Sequence, residues 1–283
     1  MQQFVKDDVK TFYGKDSNGV NTVNPAALAL LEKGSTPSTS EQVRKRALEA
    51  LALEAKMMLD EGVVATPQEI DIVSQLNPEH CNLKVGKELF TATGPALIEY
   101  LHSKNFKVFL DLKFHDIPTT VKKACEAASQ LGVWMINVHA SGGSKMLEAA
   151  LEGVSKAKQS PLLIAVTVLT SMEQKTLEEI GVSRNLEDQV LRLAKLAEKS
   201  GLNGIVCSAK DLAFLKNHFN SLFLFVTPGI RMTGDVADDQ IRTMTPSDAI
   251  KAGSSHLVIG RPITQSDDPL KTLEKIYFEI NQS

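Results

Sequence analysis

The amino-acid sequence predicts an α/β protein based on a (β/α)8 TIM barrel in which the first strand is missing or replaced. From about residue 82 onward, short apolar segments alternate with amphipathic stretches, the order expected for a parallel sheet with right-handed helical crossovers. Several of these segments are apolar on both faces, as strands buried between two layers are. Polar residues recur at their carboxyl ends, where barrels of this type carry their active sites.

Seven segments are predicted as strands because they are short and mostly rich in apolar residues. They are 83–85, 108–112, 135–139, 162–169, 204–207, 222–227 and 256–259. Amphipathic stretches that alternate with them are predicted as helices, among them 119–131, 144–158, 186–200 and 268–281. A closed barrel of this kind needs eight strands, so the strand that should precede Lys84 is not accounted for.

The first 75 residues differ in character and are predicted as a mainly helical segment, followed by the barrel over residues 76–283. Helix formers and capping signals predict helices over 42–59 and 66–76. A stretch of Gly, Ser, Thr and Pro at 34–40 is typical of a linker.

Two short β-like pieces lie within this N-terminal segment. Residues 12–23 carry Asn18-Gly19 between β-like runs, which predicts a hairpin. Residues 63–65 are the only β-like piece between the two predicted helices. We expect one of these pieces to fill part of the gap in the barrel, since an open barrel exposes unpaired strand edges.

Composition excludes some classes of function. The chain has 283 residues and a net charge of −3, so no broad attraction to nucleic acid or to anionic lipid is expected. The three cysteines share no metal-like spacing and are typical of buried thiols in a reducing compartment. Neither a membrane span nor a signal peptide is indicated, and the cytoplasm is the expected location.

The stretch 110–118, Leu-Asp-Leu-Lys-Phe-His-Asp-Ile-Pro, is the most informative part of the chain. It sets Asp111, Lys113 and Asp116 at the end of an apolar run. Residues i and i+2 of a strand share a face, so Asp111 and Lys113 should project together. Charges inside a strand are costly unless they are paired or used, which indicates a catalytic site. The alternative is a structural ion pair.

Residues 76–283 resemble the orotidine 5′-phosphate decarboxylase family. The resemblance rests on the stretch just described and on five further motifs that follow the family's order and spacing. These are Leu-Lys-Val-Gly-Lys-Glu at 83–88, Gly-Val-Trp-Met-Ile-Asn-Val-His-Ala-Ser-Gly-Gly at 132–143, Val-Leu-Thr-Ser-Met at 168–172, Val-Thr-Pro-Gly-Ile-Arg at 226–231 and Val-Ile-Gly-Arg-Pro-Ile at 258–263.

The resemblance implies a decarboxylase without cofactor or metal that converts orotidine 5′-phosphate to UMP in pyrimidine biosynthesis and works as a homodimer. Lys113 would donate the proton to C6 of the pyrimidine, within a charged array of Lys84, Asp111, Lys113 and Asp116. Asp116 would reach into the site of the partner subunit. The resemblance implies the following substrate-binding residues: Thr120 for ribose and dimer-edge contacts, Thr170 and Ser171 near the base, and Arg231, Gln240, Gly260 and Arg261 at the phosphate.

The chain departs from the family pattern before residue 76. The family begins with a strand ending in Ala-Leu-Asp, and the nearest match here, ending at Asp60, lies in a helical pattern. Residues 9–72 instead resemble the C-terminal helical region of bacterial 3-hydroxyacyl-CoA dehydrogenases. The carrying residues are Phe-Tyr-Gly-Lys-Asp at 12–16, Val-Asn-Pro at 23–25 and Leu-Asp-Glu-Gly-Val-Val-Ala at 59–65. The Gly-rich nucleotide-binding portion of those enzymes is absent, so dehydrogenase activity is not implied.

Two alternative functions stay open at this point. One is a catalytically impaired fusion protein that retains the motifs but lacks a complete barrel. The other is a related decarboxylase that acts on a sugar-acid phosphate with a metal, since that relative shares the Asp-x-Lys-x-x-Asp pattern.

Overall fold

A computed structural model of the chain describes residues 13–15, 21–23, 73, 75–232 and 243–281. The chain divides into two compact units, Met1–Glu54 and Ala55–Ser283. The predicted linker, the predicted helix 42–59, Asp60 and the β-like piece 63–65 lie outside the described residues. So do Gln240 and most of the predicted helix 66–76.

The hairpin predicted over residues 12–23 is confirmed in the first unit. Strand β1 (Tyr13–Lys15) pairs with β2 (Asn21–Val23) in antiparallel register, with Tyr13 opposite Val23. These two strands form a two-stranded sheet of their own. Among the described residues these two strands pair with each other and with no strand of the seven-stranded sheet, so the expectation that this hairpin fills part of the gap is wrong for these residues.

The second unit contains a seven-stranded parallel sheet in which the strands follow one another in chain order. All seven segments predicted as strands are confirmed. The strands are β3 (Leu83–Gly86), β4 (Val108–Phe114), β5 (Met135–His139), β6 (Leu162–Val166), β7 (Gly204–Val206), β8 (Leu224–Thr227) and β9 (His256–Leu257). Among the described residues, β3 and β9 are the edges of this sheet, at the position where the eighth strand was predicted to be missing.

Helices follow or separate the strands. They are α1 (Lys87–Thr93), α2 (Pro95–Ser103), α3 (Pro118–Gln130), α4 (Ser144–Val154), α5 (Gln174–Glu179), α6 (Leu186–Lys199), α7 (Leu212–Leu215), α8 (Pro246–Ala252), α9 (Arg261–Thr264) and α10 (Pro269–Asn281). Helices α3, α4, α6 and α10 confirm the four predicted segments. Local chemistry sets their starts: Pro118 occupies the first turn of α3, and the Asn185 side chain accepts the Asp188 N–H at the start of α6.

The sheet separates two apolar regions, because successive side chains of a strand point to opposite faces. A small inner cluster comprises Phe109, Met135, Ile164, Val166, Val206 and Val226. The larger outer cluster packs the other face of the strands against the helices and includes Leu110, Ile136 and Leu163. Asp111 is two residues from Phe109, so the alternation places its carboxylate on the inner side of the sheet.

Candidate active site

Asp111 is the centre of a compact polar network at the carboxyl end of β4. It is 8% exposed. One carboxylate oxygen, Oδ1, accepts hydrogen bonds from Lys113 Nζ at 2.6 Å and from Asn137 Nδ2 at 2.6 Å. The other, Oδ2, lies 3.2 Å from Lys84 Nζ. The structure therefore brings together three of the four charged residues predicted from the sequence, Lys84, Asp111 and Lys113.

The charges around Asp111 keep it ionised. Burial by itself would raise its pKa, but the ammonium groups of Lys84 and Lys113 and the bonds from Lys113 and Asn137 hold the pKa below its usual value of 3.8. The site thus holds two ammonium groups and one carboxylate over an apolar floor. Such an arrangement offers fixed positive charge to an anionic reacting group without reorganisation.

The backbone of Lys113 has an unusual conformation. Its φ angle is +52°, a region that costs a non-glycine residue about 1–2 kcal/mol. The register between β4 and β5 also changes here: Leu110 is opposite Ile136, and the next pair is Phe114 with Val138. Lys113 therefore lies in a bulge, not in the regular strand that the i, i+2 argument assumed. Its side chain still meets Asp111.

A cavity of about 280 Å³ opens beside this network. Its polar lining comprises Lys84, Asp111, Lys113, Thr170 and Ser171, and its apolar lining Phe109, Val166, Val168, Leu169, Val206, Pro228 and Val258. Three of the apolar residues, Phe109, Val166 and Val206, belong to the inner cluster of the sheet. The cavity therefore has a low-dielectric floor and a charged wall, and Thr170 and Ser171 line it together with the charged residues.

The residues predicted for the phosphate follow the two strand ends that close the cavity. Pro228 and Val258 line it, but the described lining does not include Arg231, Gly260 or Arg261. The guanidinium of Arg231 donates to the Ile230 carbonyl at 2.9 Å. Gly260 precedes the four-residue helix α9. Gln240 lies outside the described residues, so this end of the site stays a prediction.

Asp116 and Thr120 are exposed and lie outside the cavity of their own chain. Asp116 Oδ1 accepts the backbone N–H of Ile117 at 2.6 Å. The Ile117 side chain is 67% exposed, and Thr120 lies in the first turn of α3. The described chain therefore does not bring Asp116 to Lys113.

His139 is a further titratable group close to the network. Burial lowers its pKa to about 4, and the neighbouring charges of His115, Lys87 and Lys113 act in the same direction. Its ring centroid is 5.4 Å from that of His115. His139 is therefore neutral at neutral pH. The described residues contain no group of three or more His, Cys, Asp or Glu side chains that could hold a metal ion.

The sequence did not point to Asn137, which contacts two of the three charged residues. It is 1% exposed, and its Oδ1 accepts the backbone N–H of Lys113 at 2.8 Å. A signal was present in the sequence, because an amide side chain interrupts the buried apolar strand Met135–His139. Buried amides need partners, and on neighbouring strands the nearest polar partner is Asp111.

Comparison with known proteins places the chain among relatives of one kind. A sequence profile described as the Orotidine 5'-phosphate decarboxylase / HUMPS family matches residues 41–276, a match that begins before residue 76. The orotidine 5'-phosphate decarboxylase of Saccharophagus degradans is 54% identical over 211 residues, covering 75% of this chain and 89% of the relative. That of Tolumonas auensis is 52% identical over 229 residues, covering 80% of this chain and 99% of the relative.

A solved structure of an orotidine 5'-phosphate decarboxylase is similar to this chain in fold as well as in sequence. The crystal structure of orotidine 5'-phosphate decarboxylase from Lactobacillus acidophilus superposes with a TM-score of 0.68 at 39% sequence identity, covering 76% of this chain and 94% of the other. None of the described helices combines the length and the apolar character that a membrane span requires.

Proposed function

The chain belongs to the orotidine 5'-phosphate decarboxylase / HUMPS family, and on this premise we propose that it converts orotidine 5′-phosphate to UMP in pyrimidine biosynthesis. The observation that carries the proposal is the network at the cavity wall, where Lys113 and Lys84 share the carboxylate of Asp111. In this proposal the pyrimidine lies over the apolar floor with its C6 carboxylate toward Lys113.

The network provides what the reaction requires. When the bond between C6 and the carboxylate breaks, CO2 leaves and the electron pair stays on C6. The Lys113 ammonium stabilises that developing charge and then transfers a proton to C6, which combines electrostatic and general-acid catalysis. Lys113 regains its proton from water. Asp111 orients the ammonium, because its Oδ1 accepts the hydrogen bond from Lys113 Nζ.

In this proposal the base occupies the rest of the cavity, and the phosphate lies beyond its described lining, beside residues that follow β8 and β9 in the sequence. Thr170 and Ser171, which line the cavity, would contact the base. Arg231, Gln240, Gly260 and Arg261 would hold the phosphate, since barrels often bind phosphate after their last strands. Binding energy from the phosphate and ribose can then be used at the reacting carbon.

The test is an ultraviolet assay for the loss of orotidine 5′-phosphate by the full chain, with and without EDTA. We expect activity that survives EDTA and falls by at least about 100-fold in Lys113→Ala, the range for removing one preorganised charge donor. Lys156→Ala is the matched control, because Lys156 pairs with Glu126 on the helical surface. Turnover of a sugar-acid phosphate that needs a metal would support the related decarboxylase instead.

We propose in addition that the active form is a homodimer in which Asp116 completes the partner's site. The exposed Asp116 and the 67% exposed Ile117 beside it support this, because neither is used within the described chain's own cavity. Mixing denatured Lys113→Ala and Asp116→Asn chains and refolding them together tests it. If the sites are shared, heterodimers contain one intact site and about a quarter of wild-type activity returns. If each chain is self-sufficient, Asp116→Asn alone keeps its activity, and the mixture shows only the average activity of the two separate variants.

The second candidate, an impaired fusion, is favoured by one observation. Among the described residues, β3 and β9 each pair with a strand on one side only, and unpaired edges weaken a sheet. Amide hydrogen exchange on the full chain tests this. Strong protection of residues 83–86 and 256–257 together with turnover supports an active enzyme. Rapid exchange there and no turnover in folded protein supports the impaired fusion.

Two further parts of the proposal concern the context of the enzyme. Residues 1–75 are proposed to be a segment of foreign origin related to 3-hydroxyacyl-CoA dehydrogenases, supported by the motifs at 12–16 and 59–65. The cytoplasm is proposed as the location, supported by Cys81, Cys125 and Cys207, none of which forms a disulfide. Cell fractionation with an antibody to the full chain tests the location.

A further inference from the structure

Asn137 has contacts that suit a function in the reaction. We propose that Asn137 is a positioning residue for decarboxylation, which holds the backbone of Lys113 and the charge of Asp111 in their active arrangement. The inference rests on the proposed function, because it concerns how well Lys113 acts as proton donor in that reaction.

The Asn137 carboxamide uses both of its ends. Its Oδ1 accepts the backbone N–H of Lys113 at 2.8 Å, and its Nδ2 donates to Asp111 Oδ1 at 2.6 Å. The same carboxylate oxygen accepts the bond from Lys113 Nζ at 2.6 Å. Asn137, Asp111 and Lys113 thus form a closed ring of three hydrogen bonds. Asn137 is 1% exposed, so water cannot easily replace these bonds.

The bond to the Lys113 backbone explains how the bulge is maintained. Between the pairs Leu110–Ile136 and Phe114–Val138, residues 111–113 of β4 lie opposite Asn137 alone. The regular ladder is interrupted there, and the side-chain oxygen of Asn137 takes the Lys113 N–H. Without this acceptor, the half-buried backbone N–H of Lys113 would lose its hydrogen bond while the residue stayed in a strained left-handed conformation. Bulges beside active sites redirect side chains, and here the redirected group is the ammonium.

The hydrogen bond from Asn137 Nδ2 to Asp111 affects the ionisation of the Asp111 carboxylate. A hydrogen bond to a carboxylate favours its ionised form, so Asn137 adds to the effect of the two lysines. Unlike Asp111 and Lys113, Asn137 is not part of the cavity lining. Its loss should therefore change turnover more than substrate binding.

The experiment compares two substitutions. Asn137→Ala removes both bonds, whereas Asn137→Asp keeps an acceptor for the Lys113 N–H but replaces the donor with a second carboxylate. We expect both to lower kcat by about 10- to 100-fold, the range for a misplaced reacting group, with KM within about twofold of wild type. The acidic limb of the kcat–pH profile should move to higher pH, furthest in Asn137→Asp, because a neighbouring carboxylate disfavours ionisation of Asp111.

Asn203→Ala is the matched control. Asn203 Oδ1 accepts the backbone N–H of Leu163 at 2.8 Å at the start of β6, so this variant also loses a bond from a side chain to a strand. It should lower the melting temperature and leave both kcat and the pH profile unchanged. Rates are normalised to the folded fraction by near-ultraviolet circular dichroism.

The outcomes separate the two proposals. An Asn137 variant that keeps the wild-type kcat and acidic limb, with only a lower melting temperature like Asn203→Ala, overturns the positioning role. Absence of turnover in folded wild type overturns the proposed function itself. If Asn137→Ala does not fold, Asn137→Asp decides the result, because it preserves the shape of the side chain and the acceptor.

Discussion

Replacing Asp111 by Asn removes the one negative charge between two ammonium groups. The carboxylate lies 2.6 Å from Lys113 Nζ and 3.2 Å from Lys84 Nζ. In the variant the two lysines face a neutral amide and each other. Like charges separated by roughly 6–8 Å repel by about 2–3 kcal/mol at an effective dielectric of 20. The Lys84 and Lys113 side chains are 36% and 28% exposed, so water screens part of this. We expect Asp111→Asn to lower the free energy of unfolding by about 1–3 kcal/mol at pH 7.

The assay is urea unfolding of four proteins: wild type, Asp111→Asn, Lys84→Met and the double variant. Because the destabilisation comes from two uncompensated ammonium groups, Lys84→Met in the Asp111→Asn background should restore stability, whereas Lys84→Met alone should not raise it. The non-additivity of this cycle measures the coupling. If Asp111→Asn is as stable as wild type at pH 7, or if the double variant is no more stable than Asp111→Asn, the electrostatic account of the site is wrong.

The pH dependence provides an independent check of the same reasoning. The pKa of Asp111 is lowered from 3.8 in the folded protein. Its contribution to stability is therefore present above the unfolded-state pKa and is lost as the pH falls through the lower folded-state pKa. The difference between wild type and Asp111→Asn should be constant from pH 5 to 8 and shrink below about pH 3.8. In the enzyme assay, Asp111→Asn should lower kcat by at least about 100-fold, since Lys113 is no longer held.

Three further predictions concern stability and local environment. Gly204→Ala should lower the melting temperature, because a Cβ at Gly204 would lie 2.2 Å from the Leu224 carbonyl oxygen; an unchanged melting temperature would contradict the packing of β7 on β8. Wild type should lose stability as the pH falls from 6.5 to 4, because His139 is protonated in the unfolded chain over this range but stays neutral in the folded protein, where its pKa is about 4. His139→Gln should reduce this loss, and urea unfolding midpoints at pH 7 and 5 measure it. Trp134 emission should be quenched only below pH 6.5, where the half-buried His256, whose ring lies 5.2 Å away and whose pKa is lowered by desolvation, becomes protonated. Quenching that persists in His256→Gln would refute this.

Much of the barrel was predictable because its signals are local. Val108–Phe114 and Met135–His139 form strands from runs of apolar and β-branched residues, and all seven predicted strands are present in the predicted order. Strand ends were less predictable. The segment 162–169 was predicted as one strand, but β6 ends at Val166, and Val168 and Leu169 line the cavity instead. Apolar character alone does not distinguish a buried strand from a cavity wall.

The charged site was partly predictable because its signals, like those of the strands, are local in the sequence. Asp111 and Lys113 are neighbours in sequence, and Lys84 lies on the preceding strand, so their meeting follows from the parallel order of β3 and β4. The proposed role of Asn137 depends on the interruption of pairing between β4 and β5, and no local sequence pattern predicts that interruption. Asp116 illustrates a different limit, since its predicted partner belongs to another chain.

The sequence by itself determined the strand order, the charged residues and the family, because hydrophobic periodicity and closely spaced motifs are properties of neighbouring residues. Tertiary structure decided the conformation of Lys113, the partners of Asp111 and the separate pairing of the N-terminal hairpin. These features depend on which backbone groups find partners once strands distant in sequence lie side by side. A bulge stabilised by a side chain of the next strand is energetically acceptable only after that strand has docked.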